Sequence, residues 1–144
     1  MKRTLTFFLL VVGVAFAFFV FGFEKVKIED CEWKMRTIAH VEENQVVYDA
    51  VKKKDDTHQD VAVIDMTLIA KDGKITIVDA TNKKTYEGTY SVVSKNPKGR
   101  DYRIIIDGKT GHATVAMTTY IGGTQEPTLP IYLDGYSMHF YCEQ

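Results

Sequence analysis

From Glu32 to the C-terminus, apolar and polar residues alternate with period two, and clusters of turn residues interrupt the rhythm. Successive strand side chains point to opposite faces, so this pattern predicts half-buried β-strands. Eight segments carry it: 32–41, 61–70, 75–80, 85–93, 101–107, 112–120, 129–133 and 136–142. In the first, Trp33, Met35, Thr37 and Ala39 share a face. In the second, Ala62, Ile64, Met66, Leu68 and Ala70 do.

The turns fix the pairing. Asp-Gly adopts the positive φ angles that a two-residue hairpin needs, and such a hairpin sets its own register. A turn at Asp72-Gly73 predicts Ala70 opposite Ile75 and Leu68 opposite Ile77. A turn at Asn82-Lys83 predicts Ile77 opposite Gly88 and Ile75 opposite Tyr90. Turns at Gly108-Lys109 and Asp134-Gly135 predict Ile104 opposite Ala113, Tyr102 opposite Val115, Ile131 opposite Met138 and Leu129 opposite Phe140. In every hairpin apolar residues meet on one face. Setting Cys31 opposite Cys142 places Trp33, Met35 and Thr37 opposite Phe140, Met138 and Tyr136. The first and last strands then match as antiparallel neighbours, which a closed sheet requires and a sandwich does not. The expected fold class is all-β: an eight-stranded antiparallel up-and-down barrel.

Residues 42–60 break the alternation. Val46, Val47, Tyr48 and Val51 fit either a short strand or one to two helical turns, and Lys52–Asp56 reads as solvated charge. The whole stretch is expected to be a long crossing loop, a candidate lid over the barrel.

The N-terminus is of another kind. Leu5–Phe23 is nineteen residues without a charge. As a helix at ~1.5 Å per residue it nearly spans a hydrocarbon core of about 30 Å. Lys2 and Arg3 precede it, and a charge-balanced stretch follows, so the positive-inside rule leaves the N-terminus in the cytoplasm and the rest outside. Two readings stand: an uncleaved transmembrane signal anchor, favoured by length, and a signal peptide cut after Ala15-Phe16-Ala17 to release a secreted protein. The expected organisation is residues 1–23 as anchor or signal, 24–30 as a charged connector, and 31–144 as the barrel domain.

The remaining composition narrows the function classes. All 19 acidic residues and 16 of the 18 basic ones follow the apolar run, a formal charge of −3. That argues against nucleic acid or an anionic membrane surface as the main partner. There are two cysteines, Cys31 and Cys142, and outside the cytoplasm such a pair is expected as a disulfide.

A tryptophan early in the first strand of an exported eight-stranded meander resembles the lipocalin-like barrels. Cys31-Glu32-Trp33 stands where lipocalins place Gly-x-Trp, and Gly88-Thr89-Tyr90 is similar to a stretch in small bacterial lipocalin-like domains. The resemblance implies that Trp33 packs at one barrel end and that the interior holds a small apolar ligand.

The inward face would contain Trp33, Met66, Asp79, Tyr86, Tyr90, Tyr102, Met117, Tyr136 and Phe140, with Met35 and Met138. These are the candidate ligand-binding residues, an apolar wall with a few hydroxyl handles. The same residues could instead fill a solid barrel that binds an envelope protein through its rim. Asp79 is expected between Met66 and Tyr86, where the Tyr86 hydroxyl could donate to it, unless the strand end turns it outward. His40, His58, His112 and His139 show no metal-ligand spacing, and Lys34 rather than a histidine is expected opposite His139. No nucleophile elbow, phosphate loop or Ser/His/Asp set occurs, so neither an enzyme, a metal nor a cofactor is expected.

Overall fold

The computed structural model describes residues 26–40, 45–49, 64–96 and 99–142. The apolar run Leu5–Phe23 and much of 42–60 lie outside the described residues. The fold is all-β. A single-turn 3-10 helix, Ile28–Asp30, precedes nine strands: β1 (Glu32–His40), β2 (Gln45–Asp49), β3 (Met66–Lys71), β4 (Lys74–Asp79), β5 (Lys84–Asn96), β6 (Gly99–Ile106), β7 (Lys109–Thr119), β8 (Gln125–Leu133) and β9 (Tyr136–Cys142). Every pairing is antiparallel, and β1 bonds to both β3 and β9. Strands β1 and β3–β9 therefore close into an eight-stranded up-and-down barrel, and β2 is an addition to it.

Three of the hairpins share one chemistry. Asp72-Gly73, Asp107-Gly108 and Asp134-Gly135 all have positive φ at both residues. The twist of such turns matches that of the flanking strands. The β3–β4 and β8–β9 registers agree with the sequence-based expectation, with Leu68 opposite Ile77 and Leu129 opposite Phe140. Two others differ by two residues. Ile77 pairs with Tyr86 and Ile75 with Gly88, because the β4–β5 connection is the four-residue turn Ala80–Lys83 and not a two-residue one. Tyr102 pairs with Ala113 and Ile104 with Gly111, because the β6–β7 turn is Asp107-Gly108. A shift of two leaves each side chain on its original face, so the inward set changes little.

The closure of β1 on β9 is less regular. Trp33 lies opposite Cys142 and Met35 opposite Phe140, and then Arg36 is an extra residue before Thr37 meets His139. That bulge flips the face of everything after it. Ile38 becomes buried, while Thr37 and Ala39, expected inward, are half-buried. Lys34 faces Tyr141, not His139. Cys31 lies just before the strand and bridges Cys142 with a Cα–Cα distance of 5.6 Å, closing a loop of 111 residues.

Residues 45–49, expected within a crossing loop, instead form β2 against Thr37–His40. The edge of β1 is thus divided: Glu32–Lys34 bond to β3, and the later residues bond to β2.

Sharp coiling brings adjacent backbones close at glycines. A Cβ on Gly88 would lie 2.0 Å from the Ile105 carbonyl oxygen, whereas one on Gly108, at φ +75°, meets nothing within 4 Å. Gly88→Ala must force β5 from β6 and should cost about 3 kcal/mol or more, the upper end of overpacking. Gly108→Ala should cost only ~1–2 kcal/mol, from left-handed backbone strain. Urea unfolding of the two variants measures both values, and equal losses would contradict this packing.

Candidate functional site

The barrel's two ends differ. One is sealed from within by the chain that enters it. Ile28 of the 3-10 turn is fully buried, beside Trp33, Tyr102 and Phe140. The Trp33 indole Nε1 donates to the Ile28 carbonyl at 2.8 Å, and the Ile28 amide donates to the Tyr102 hydroxyl at 3.2 Å. The Tyr90 hydroxyl donates to the Glu29 carboxylate at 2.7 Å. Asp30 accepts from the Lys27 amide at 2.8 Å and so fixes the turn. The buried polar atoms of this plug thereby find partners. The connector expected at 24–30 is in its second half part of the core.

The opposite end holds a cavity of about 310 Å³. Ile38, Met66, Ile77, Tyr86, Ile106, Leu133 and Met138 form its apolar wall. Asp107, Lys109, Asp134 and Tyr136 supply its polar edge. Lys109 donates to the Asp134 carboxylate between the β6–β7 and β8–β9 turns, an exposed ion pair. Tyr136 also meets the His40 ring edge-on, with centroids 5.1 Å apart.

The nine expected interior residues fall into four groups. Met66, Tyr86 and Tyr136 line the cavity. Trp33, Tyr90, Tyr102 and Phe140 are packed at the sealed end. Asp79 is 2% exposed and faces Met66 across the ladder as expected. Its partner is Asn82 and not Tyr86: Oδ1 accepts the Asn82 amide at 2.9 Å and Oδ2 the Asn82 side-chain Nδ2 at 2.8 Å. Asp79 therefore caps the Ala80–Lys83 turn. Met117 is 44% exposed and does not belong to the interior. It has the inward parity of Ala113 and Val115, but β6 stops pairing at Gly99–Ala116, so Met117 extends past the end of the wall.

Ile38, Ile77, Ile106 and Leu133 also line the cavity and were not among the expected site residues. Ile38 had a signal: buried apolar spacing of 33, 35 and 38 steps once by three, as a bulge does. The other three are ordinary core positions, and only the three-dimensional taper of the barrel separates wall from filling.

Outside the barrel, Arg36 gathers a polar cluster. Its guanidinium donates to both Glu126 carboxylate oxygens, at 2.8 and 3.2 Å, and to the Tyr120 hydroxyl, and it lies 4.7 Å from the Tyr141 ring centroid. Desolvation, aided by Arg36, holds the His139 imidazole below its usual range. Among the described residues no group of three His, Cys, Asp or Glu side chains is arranged to hold a metal.

No protein family, curated protein or solved structure matches this chain.

Burial, then the adjacent Glu29 carboxylate, pushes the Tyr90 phenol up to about 12, and burial raises Tyr102 as well. A raised folded-state value means stability fully present below the ordinary phenol value, near 10, and lost as pH rises through the folded one. The thermal unfolding temperature should therefore fall between pH 10 and about 12. Tyr90→Phe should lose part of that slope, with the share of Tyr102 left. An unchanged slope in the variant would contradict the plug's hydrogen bond to Glu29.

Proposed function

We propose that this protein is a membrane-anchored, extracytoplasmic lipocalin-like barrel that binds a small apolar ligand at its open end and is not an enzyme. The observation that carries the reading is the asymmetric interior. The sealed half is filled by Trp33, Tyr102 and Phe140, and the open half keeps an apolar cavity of about 310 Å³. That volume is at the lower end of ligand pockets, which run about 300–1,000 Å³. It suits a compact apolar molecule with one polar end, directed at Lys109, Asp134 and Tyr136. The filled half leaves no path for an extended acyl chain along the barrel axis.

The compartment is supported by three features. Leu5–Phe23 is long and apolar enough to anchor, Lys2 and Arg3 flank its start, and Cys31 and Cys142 form a disulfide, as is usual outside the cytoplasm. The early Trp33 and its packing at one end fit the lipocalin-like reading.

Titration with N-phenyl-1-naphthylamine, an apolar dye that brightens out of water, tests the site. The wild-type chain should bind it saturably. Met66→Trp fills the cavity from β3 and should weaken binding about tenfold or more, ~1.4 kcal/mol, with the unfolding temperature nearly unchanged. Native mass spectrometry of the purified protein should show a co-purified small molecule lost in the same variant. Absent binding by the wild type, or equal binding by Met66→Trp, would overturn the reading in favour of a solid, protein-binding barrel.

A further inference from the structure

The chain enters the barrel at its sealed end, a few residues after the apolar run. Val26 already packs against the core, so Glu24 and Lys25 alone separate it from Phe23. Fully extended, the three steps from Phe23 to Val26 reach about 11 Å, at ~3.6 Å per residue. The barrel is longer than that. The eight steps of β1 from Glu32 to His40 cover about 26 Å at ~3.3 Å each, or roughly 20 Å along the axis of a barrel whose strands tilt about 40°. If the open end faced the bilayer, the sealed end would stand farther from it than the tether can reach.

The sealed end also presents an apolar tip. Ile121, in the β7–β8 loop, is 108% exposed, the most exposed large apolar side chain among the described residues. Tyr120 precedes it, and Gly122 and Gly123 follow. A single exposed isoleucine means little by itself. This one is held in place. Its neighbour Tyr120 accepts from Arg36, the Tyr120 amide donates to the Thr124 carbonyl at 2.9 Å, and the Gly123 amide donates to the Tyr120 carbonyl at 3.0 Å. The bulge that puts Arg36 out of the β1 register thus fixes a loop whose tip contacts no core. Aliphatic and tyrosine side chains side by side suit the boundary between headgroups and acyl chains.

We infer that the barrel sits with its sealed end on the membrane, with Ile121 entering the bilayer interface, so that the mouth of the ligand cavity faces away from the membrane. This rests on the anchor reading above. Ligand would then arrive from the aqueous side, and not by lateral entry from the lipid.

The test uses the full chain in vesicles of phosphatidylcholine and phosphatidylglycerol. One thiol is introduced by Ile121→Cys, or by Lys83→Cys in the β4–β5 turn at the open end, and labelled with a polarity-sensitive fluorophore. Both positions are exposed, so neither change disturbs the core. Flotation on a density gradient reports the anchor independently. The probe at 121 should emit blue-shifted light and lose most of its intensity to bromine-substituted acyl chains, while the probe at 83 stays unquenched. Protein that floats with both probes water-exposed, or with 83 the quenched one, would overturn the orientation and leave the anchor standing. Protein that does not float would overturn both.

Discussion

β1 must satisfy two edges of the barrel at once, and the rest of the structure depends on how it does so. On one side it carries the full run of pairs to β9 that closes the ring, secured by the Cys31–Cys142 bridge. On the other it gives three pairs to β3 and then turns to β2. Closure removes the free edges that an open sheet of this kind would expose. The bridge constrains the unfolded chain most because the loop it closes is long, and on the chain-entropy account that is worth about 4.7 kcal/mol.

The division of the interior follows from the same strand. Before the Arg36 bulge, β1 sends Trp33 and Met35 inward, and the preceding turn folds Ile28 over them. Burying one such side chain contributes roughly 1.5–3 kcal/mol, and the hydrogen bonds from Trp33 and to Tyr102 prevent the burial of unpaired backbone groups. After the bulge, β1 presents the smaller Ile38 and, having left β3 at Lys34, pairs with β2. Ile38, Met66 and Met138 line the cavity there, and among the described residues no tryptophan or phenylalanine does. One end is core and the other is cavity because one strand changes face and partner midway.

Much of this was legible in the sequence, and the failures have definite causes. The Asp-Gly hairpins at 72–73 and 134–135 and the apolar match between the first and last strands pointed to barrel topology, and the inferred compartment pointed to the disulfide. Three registers came out wrong: β4–β5 and β6–β7 differ by two residues, an error to which facing is blind, and β1–β9 sets Trp33 opposite Cys142 where Phe140 was expected. The Arg36 bulge was missed because continued alternation through Thr37 and Ala39 looks regular even though Ile38 is the buried residue. A short strand at β2 was one of the readings left open, and the charged residues around it favoured a crossing loop instead. The plug was hidden because Ile28 stands alone among charges, and its burial depends on Trp33 and Tyr102, five and 74 residues away. Met117 has the right parity and the wrong height, since alternation reports a face but not where the neighbouring strand ends.

The claim that one half of the barrel is filled and the other hollow is tested most directly by isoleucine and methionine methyl NMR under xenon pressure. Xenon enters apolar cavities and finds no space in a packed core. The account predicts progressive shifts at Ile38, Met66, Ile77, Ile106 and Met138, with Ile28, Ile75, Ile104 and Ile131 unmoved. Shifts confined to the second set, or none in the first, would contradict it.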